Sequence, residues 1–178
     1  SGMVEVYKFD GESWIKMGNR IVLKDYTFTD EDGNSVQGDG TARWPQFGKI
    51  VNINNLGNII AVNSPKWSGK GIVLVFKFDG TRWELLGNPF HRQPIMKDGT
   101  LQRVGSYFGN RFSLNHDGKS IAILNVGSSQ WFEKDGKKKV LLYKLNEQGT
   151  NWIKTGELEN PELDSSSSSD SMMDMHMP

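Results

Sequence analysis

The sequence predicts an all-β chain of repeated antiparallel units, and three observations carry that expectation. The segment Val6 to Trp14 (Val-Tyr-Lys-Phe-Asp-Gly-Glu-Ser-Trp) returns as Val75 to Trp83 and, with a longer turn, as Leu142 to Trp152. Trp14, Trp83 and Trp152 therefore stand at a constant step of 69. A second segment, Phe47 to Val62, matches Phe108 to Ile123 without a gap at an offset of 61. No stretch carries apolar residues at helical spacing with caps, whereas short β-branched and aromatic runs between glycine-rich turns are frequent.

The elements follow in order. Residues 4–18 form a hairpin: Val4, Val6 and Lys8 alternate with Glu5, Tyr7 and Phe9, Asp10-Gly11 makes the turn, and Trp14-Ile15 start the return. Asp-Gly between apolar runs signals a hairpin because glycine accepts the positive φ of the turn. The polar stretch from Lys24 to Pro45 reads as one long loop. Phe47 to Asn54 and Ile59 to Val62 then read as strands joined by an Asn/Gly turn, and Ile72 to Phe76 and Trp83 complete a unit over 47–88. The same order recurs over 108–157. Ile59 to Val62 and Ile121 to Leu124 carry few polar residues, as strands covered on both faces do. Residues 1–3 read as a tag-derived scar. Residues 158–178 form a Ser/Met-rich tail expected to be disordered.

Four antiparallel strands recurring in this way predict blades of a β-propeller type, about two and a half of them. A β-trefoil, the other three-repeat solution, is disfavoured by the length of the units. Residues 4–18 correspond to the last two strands of a blade whose first two are missing. Since propellers close with about four to eight blades, the array is expected to be partial or completed by assembly. Its open edges invite self-association.

The pattern Phe-Gly-x-x-Val/Phe-x-Ile/Leu-Asn, Gly-x-x-Ile-Ala, then Val-x-Val-Tyr/Phe and Gly-x-x-Trp-x-x-x-Gly resembles the FG-GAP repeat of integrin-α-type propellers. The resemblance covers 4–18, 47–88 and 108–157. It implies a β-propeller used for adhesion or ligand binding, in an extracellular or surface-exposed setting. The family's calcium loop is replaced by Asn54-Asn55-Leu56-Gly57 and Asn115-His116-Asp117-Gly118, so the similarity is to a divergent, calcium-free variety.

Composition narrows the functional classes. Lys+Arg and Asp+Glu are equal at 21, so no global field favours nucleic acid or an anionic membrane. The absence of cysteine excludes a disulfide framework and a thiol nucleophile. No apolar run reaches the ~18 residues of a membrane span. His91 and His116 lack an evident carboxylate and nucleophile, so the chain is not expected to be an enzyme and no catalytic residue or cofactor is assigned.

The expected function is a non-enzymatic binding or adhesion module. Its long loops gather Arg43, Trp44, Lys66, Trp67, Arg103, Tyr107, Trp131 and Phe132 on one face, with Arg92 nearby, for a protein or carbohydrate ligand. Trp67 and Trp131 read either as stacking platforms or as lids on the blade ends. The alternative function is a structural one, in which open blade edges pair with other chains or missing repeats. Asp30, Asp32, Asn34 and Asp39 are the only calcium-like set. They lack the bidentate glutamate of an EF-hand and read more simply as a solvated loop. Lys137 to Lys139 read as an edge-protecting run. Met172 to Met177 with His176 offer soft ligands of the kind Cu(I) takes, and Ser165 to Ser169 offer phosphorylatable hydroxyls.

Overall fold

The computed structural model describes residues 2–30, 33–38, 46–67, 70–92, 96–97, 100–101, 108–125 and 139–159. They are almost all strand and turn, every pairing is antiparallel, and Leu23–Asp25 forms a 3-10 turn.

The N-terminal unit contains β1 (Met3–Val4), β2 (Tyr7–Phe9), β3 (Trp14–Lys16) and β4 (Ile21–Val22). β2 pairs with β3, and β1 with β4 in the register Met3↔Val22 and Val4↔Ile21. The pairing thus runs past Gly18, and the unit is wider than the 4–18 hairpin expected. Asp10 builds the turn: its Oδ1 accepts the amides of Glu12 and Ser13 at 2.9 and 2.8 Å. These amide bonds hold its carboxyl below the usual range.

The stretch expected to be a loop from Lys24 to Pro45 contains a hairpin, β5 (Thr27–Thr29) with β6 (Ser35–Gln37). Alternation explains it: Phe28 turns into the core while Thr27 and Thr29 stay exposed. Gly33, at φ 83°, supplies the turn.

The central sheet has the order β10-β9-β8-β7, from β7 (Val51–Ile53), β8 (Ile59–Ser64), β9 (Ile72–Phe78) and β10 (Trp83–Leu85). β11 (Phe90–His91) continues beyond β10 along the start of β9. Its register, Ile72↔His91 and Val73↔Phe90, repeats that of β1 with β4 at the step of 69. A small hairpin follows, β12 (Met96–Lys97) with β13 (Thr100–Leu101). The last sheet, β14-β15-β16-β17, comprises β14 (Phe112–Leu114), β15 (Ser120–Asn125), β16 (Lys139–Leu145) and β17 (Trp152–Glu159). A bulge between Leu142 and Tyr143 lets β17 run as one strand where β10 and β11 are two.

The three units stack face to face, with a hydrophobic core in each gap. The first core joins Val6, Ile21 and Phe28 to Ile60, Val62, Leu74, Phe76 and Trp83 of the central sheet. The second joins Ala61, Val73, Val75, Leu86 and Phe90 to Ile121, Ile123, Leu141, Tyr143 and Trp152. β8 is consequently buried at every residue. β15, expected to be covered on both faces, instead alternates between buried and half-buried residues, because the described residues pack on one face only. Among the described residues the sheets do not close into a barrel or ring.

Candidate functional site

The residues proposed from sequence as a binding face are only partly within the described structure. Arg43, Trp44, Arg103, Tyr107, Trp131 and Phe132 lie outside the described residues, as do Asp32 and Asp39 of the calcium-like set. Lys66 is exposed, in the tight turn between β8 and β9. Trp67 beside it is a correction to its reading as an open stacking platform. It is 7% exposed and belongs to the first core, with its ring centroid 5.4 Å from Phe28 and 5.8 Å from His91. The amides of Lys70 and Gly71 both donate to its carbonyl at 3.0 Å. Trp67 is therefore a lid, the second of the two sequence readings.

His91 completes this packing. Its Nε2 donates to the Thr29 carbonyl at 3.1 Å, and burial pushes its pKa below 6.5, which favours the neutral ring against Trp67. Arg92 is buried beside it. Asp30 is committed to the hairpin turn, where its Oδ1 accepts the Asn34 amide at 2.8 Å. Among the described residues no group of three or more His, Asp or Glu is placed to hold a metal ion. His116 is exposed, and what it contributes is its carbonyl, which accepts the Asn55 amide at 3.1 Å across the two facing Asn/Gly turns.

What the structure does bring together is the joint between units, built twice from equivalent residues. Trp83 Nε1 donates to the Met17 carbonyl at 2.9 Å, and Trp152 Nε1 to the Leu86 carbonyl at 2.9 Å. In each case the acceptor lies three residues past the previous unit's own tryptophan. Glycines make room: a Cβ on Gly87 would lie 2.9 Å from the Trp152 ring, and one on Gly18 2.8 Å from the Phe78 ring. Both have positive φ, so a side chain there is excluded by backbone as well as by space.

Toward the inner strands two asparagines complete the joint between the central and last sheets. Asn52 Oδ1 accepts the Leu114 amide at 3.0 Å. The buried Asn63 accepts the Ile50 amide at 2.8 Å and donates to the Gly109 carbonyl at 2.9 Å.

The same parts recur at the two ends of the stack without a neighbour among the described residues. Trp14 and Phe9 pack as tilted rings with centroids 5.4 Å apart, as Phe78 and Trp83 do at 5.3 Å. Yet Trp14 is 68% exposed where Trp83 is 0% and Trp152 9%. Toward the other end of this hairpin, Glu5 accepts Lys16 Nζ at 2.7 Å, the Tyr7 hydroxyl at 3.0 Å and Arg20 Nε at 3.3 Å. These donors, Lys16 foremost, hold its carboxyl at about 2.

At the other end, Ala122, Leu124, Val140 and Leu142 point away from the second core and are half-buried, and Ile153 and Leu158 are exposed. The first four occupy the positions of Ala61, Asn63, Val73 and Val75 in the central sheet, where the last sheet covers them. Glu157, paired with Lys154 at 2.7 Å and Lys139 at 3.0 Å, is likewise held at about 2; it lies opposite Leu141 and so on the other, core-facing side of the sheet.

Sequence reasoning identified the recurring tryptophans but not these faces, because the step of 69 shows which residues correspond and not which are covered. No protein-family model matches the chain, and no curated protein or solved structure matches it.

Proposed function

We propose that the chain is a non-enzymatic structural module of propeller-blade type, similar to a calcium-free FG-GAP array, that works by stacking four-stranded units on its ends. The observation that carries this reading is the repeated joint. An indole-to-carbonyl bond, a glycine seat and an apolar sheet face recur between the first and second units and between the second and third. The third unit presents the same kind of face once more, with Ala122, Val140 and Leu142 on it. An array of this kind gains stability with each added unit, because every new unit buries a face on its predecessor. The sequence-based ligand face of long loops is less well supported, since Trp67, one of its two tryptophan anchors, lies in the core.

The test is to append a copy of residues 90–159 after Glu159. The expected result is one cooperative unfolding transition at a higher temperature than the original chain. A separate second transition, or an unchanged melting temperature, would show that the last sheet does not accept a further unit.

A further inference from the structure

We infer that a second copy of this chain docks head to tail, its Trp14 hairpin seated on the outer face of the last sheet, with Trp14 Nε1 donating to the Thr155 carbonyl. This deepens the stacking reading above and rests on it. The occupant follows from the joints already present. In each, a tryptophan donates to the carbonyl three residues past the tryptophan of the unit it covers: Trp83 to Met17, Trp152 to Leu86. Applied to the last unit, that carbonyl is Thr155, an exposed residue at the bulge of β17. Of the three repeating tryptophans, the one left without such an acceptor among the described residues is Trp14, already paired with Phe9 as Trp83 is with Phe78.

Among the described residues the seat is open as well. Gly156 stands where Gly18 and Gly87 stand in the earlier units. Among the described residues a Cβ there would meet only Leu142 Cδ1, at 3.8 Å, whereas both earlier glycines are closely covered by the next unit. Gly156 differs in lacking a positive φ, because it is a paired residue within the continuous strand β17, opposite Leu142.

The two ends also match in extent. Residues 3–22 supply strands equivalent to β9, β10 and β11, the outer strands of a unit. On the receiving face, Val140 and Leu142 preserve the apolar outer half found at Val73 and Val75. The asparagines that tie down inner strands, Asn52 and Asn63, are replaced there by Ser113 and Leu124. The receiving face thus keeps what an outer hairpin needs and lacks the two ties for inner strands. Such a contact uses different surfaces on the two copies, so it propagates into a chain or closes into a ring.

The experiment is sedimentation velocity on the full chain over a wide range of concentration, with Trp14→Ala and Leu142→Asp. Wild type is expected to grow in mass with concentration, and each variant alone to associate about tenfold or more weakly. Their equimolar mixture is expected to form a dimer, since each variant keeps one intact end. Leu158→Asp, at an exposed position of the same face, serves if Leu142→Asp fails to fold. A wild type that stays monomeric, or variants that associate as well as wild type, would overturn the inference. If the appended unit stacks while the second copy does not bind, the joint is confined to units within one chain. If neither does, the stacking reading itself falls.

Discussion

Trp83→Ala is expected to destabilise the fold by about 3–5 kcal/mol, the range for truncating a fully buried aromatic side chain. Trp83 is 0% exposed, packs against Phe78, and donates its indole proton to Met17. The substitution removes this packing and leaves the Met17 carbonyl without its indole donor. Its backbone is also held from the first unit, since the Trp83 amide donates to Asn19 Oδ1 at 2.7 Å and its carbonyl accepts the Tyr26 hydroxyl at 3.0 Å. Those backbone bonds survive, so the loss belongs to the side chain. Denaturant unfolding of dilute protein measures it. Trp14→Ala, at the same place in the repeat, is expected to change stability by no more than about 0.5 kcal/mol, as an exposed position does. Equal costs at the two sites would contradict the stacking of the first unit on the central sheet.

Asn63→Leu is expected to cost about 3 kcal/mol, although Leu124 occupies the equivalent position one unit later. The difference is the neighbour. Asn63 is fully buried and joins the Ile50 amide to the Gly109 carbonyl, so leucine would strand one donor and one acceptor. Each stranded buried group costs about 1–3 kcal/mol. Leu124 faces outward with no further sheet to hold among the described residues. Thermal and denaturant unfolding check the value, and a loss below about 1 kcal/mol would mean that these bonds are readily replaced by water.

Much of this architecture was legible in the sequence, and the parts that were not have identifiable causes. The Asp-Gly turns at Asp10 and Asp79 announce their hairpins because the carboxylate organises the turn locally. Asp79 Oδ1 takes the Thr81 and Arg82 amides at 2.7 and 2.8 Å. The hairpin at Thr27 to Gln37 is hard to see in the sequence because its single inward aromatic, Phe28, sits among Thr, Asp and Ser that read as loop. Its Asp32-Gly33 pair was the usable signal.

The orientation of Trp67 was not legible at all. Whether an indole near a turn faces solvent or core depends on Phe28 and His91, which come from elements 39 and 24 residues away in the chain. Coverage of a sheet face is equally non-local. The Ala61 and Ala122 segments look alike in sequence, but one is sealed by the last sheet and the other faces outward. For the same reason the sequence points to the long loops, whereas the uncovered repeat faces lie at the ends of the stack.

The central claim is that the same tryptophan is locked between units twice and left open once. Exchange of the indole protons with solvent, followed by nuclear magnetic resonance at a concentration where the chain is monomeric, tests it most directly. The Trp83 and Trp152 indole protons are expected to be strongly protected, and the Trp14 proton to exchange at the rate of a free indole. Fast exchange at Trp83 or Trp152, or protection at Trp14 in the monomer, would contradict the stacked arrangement.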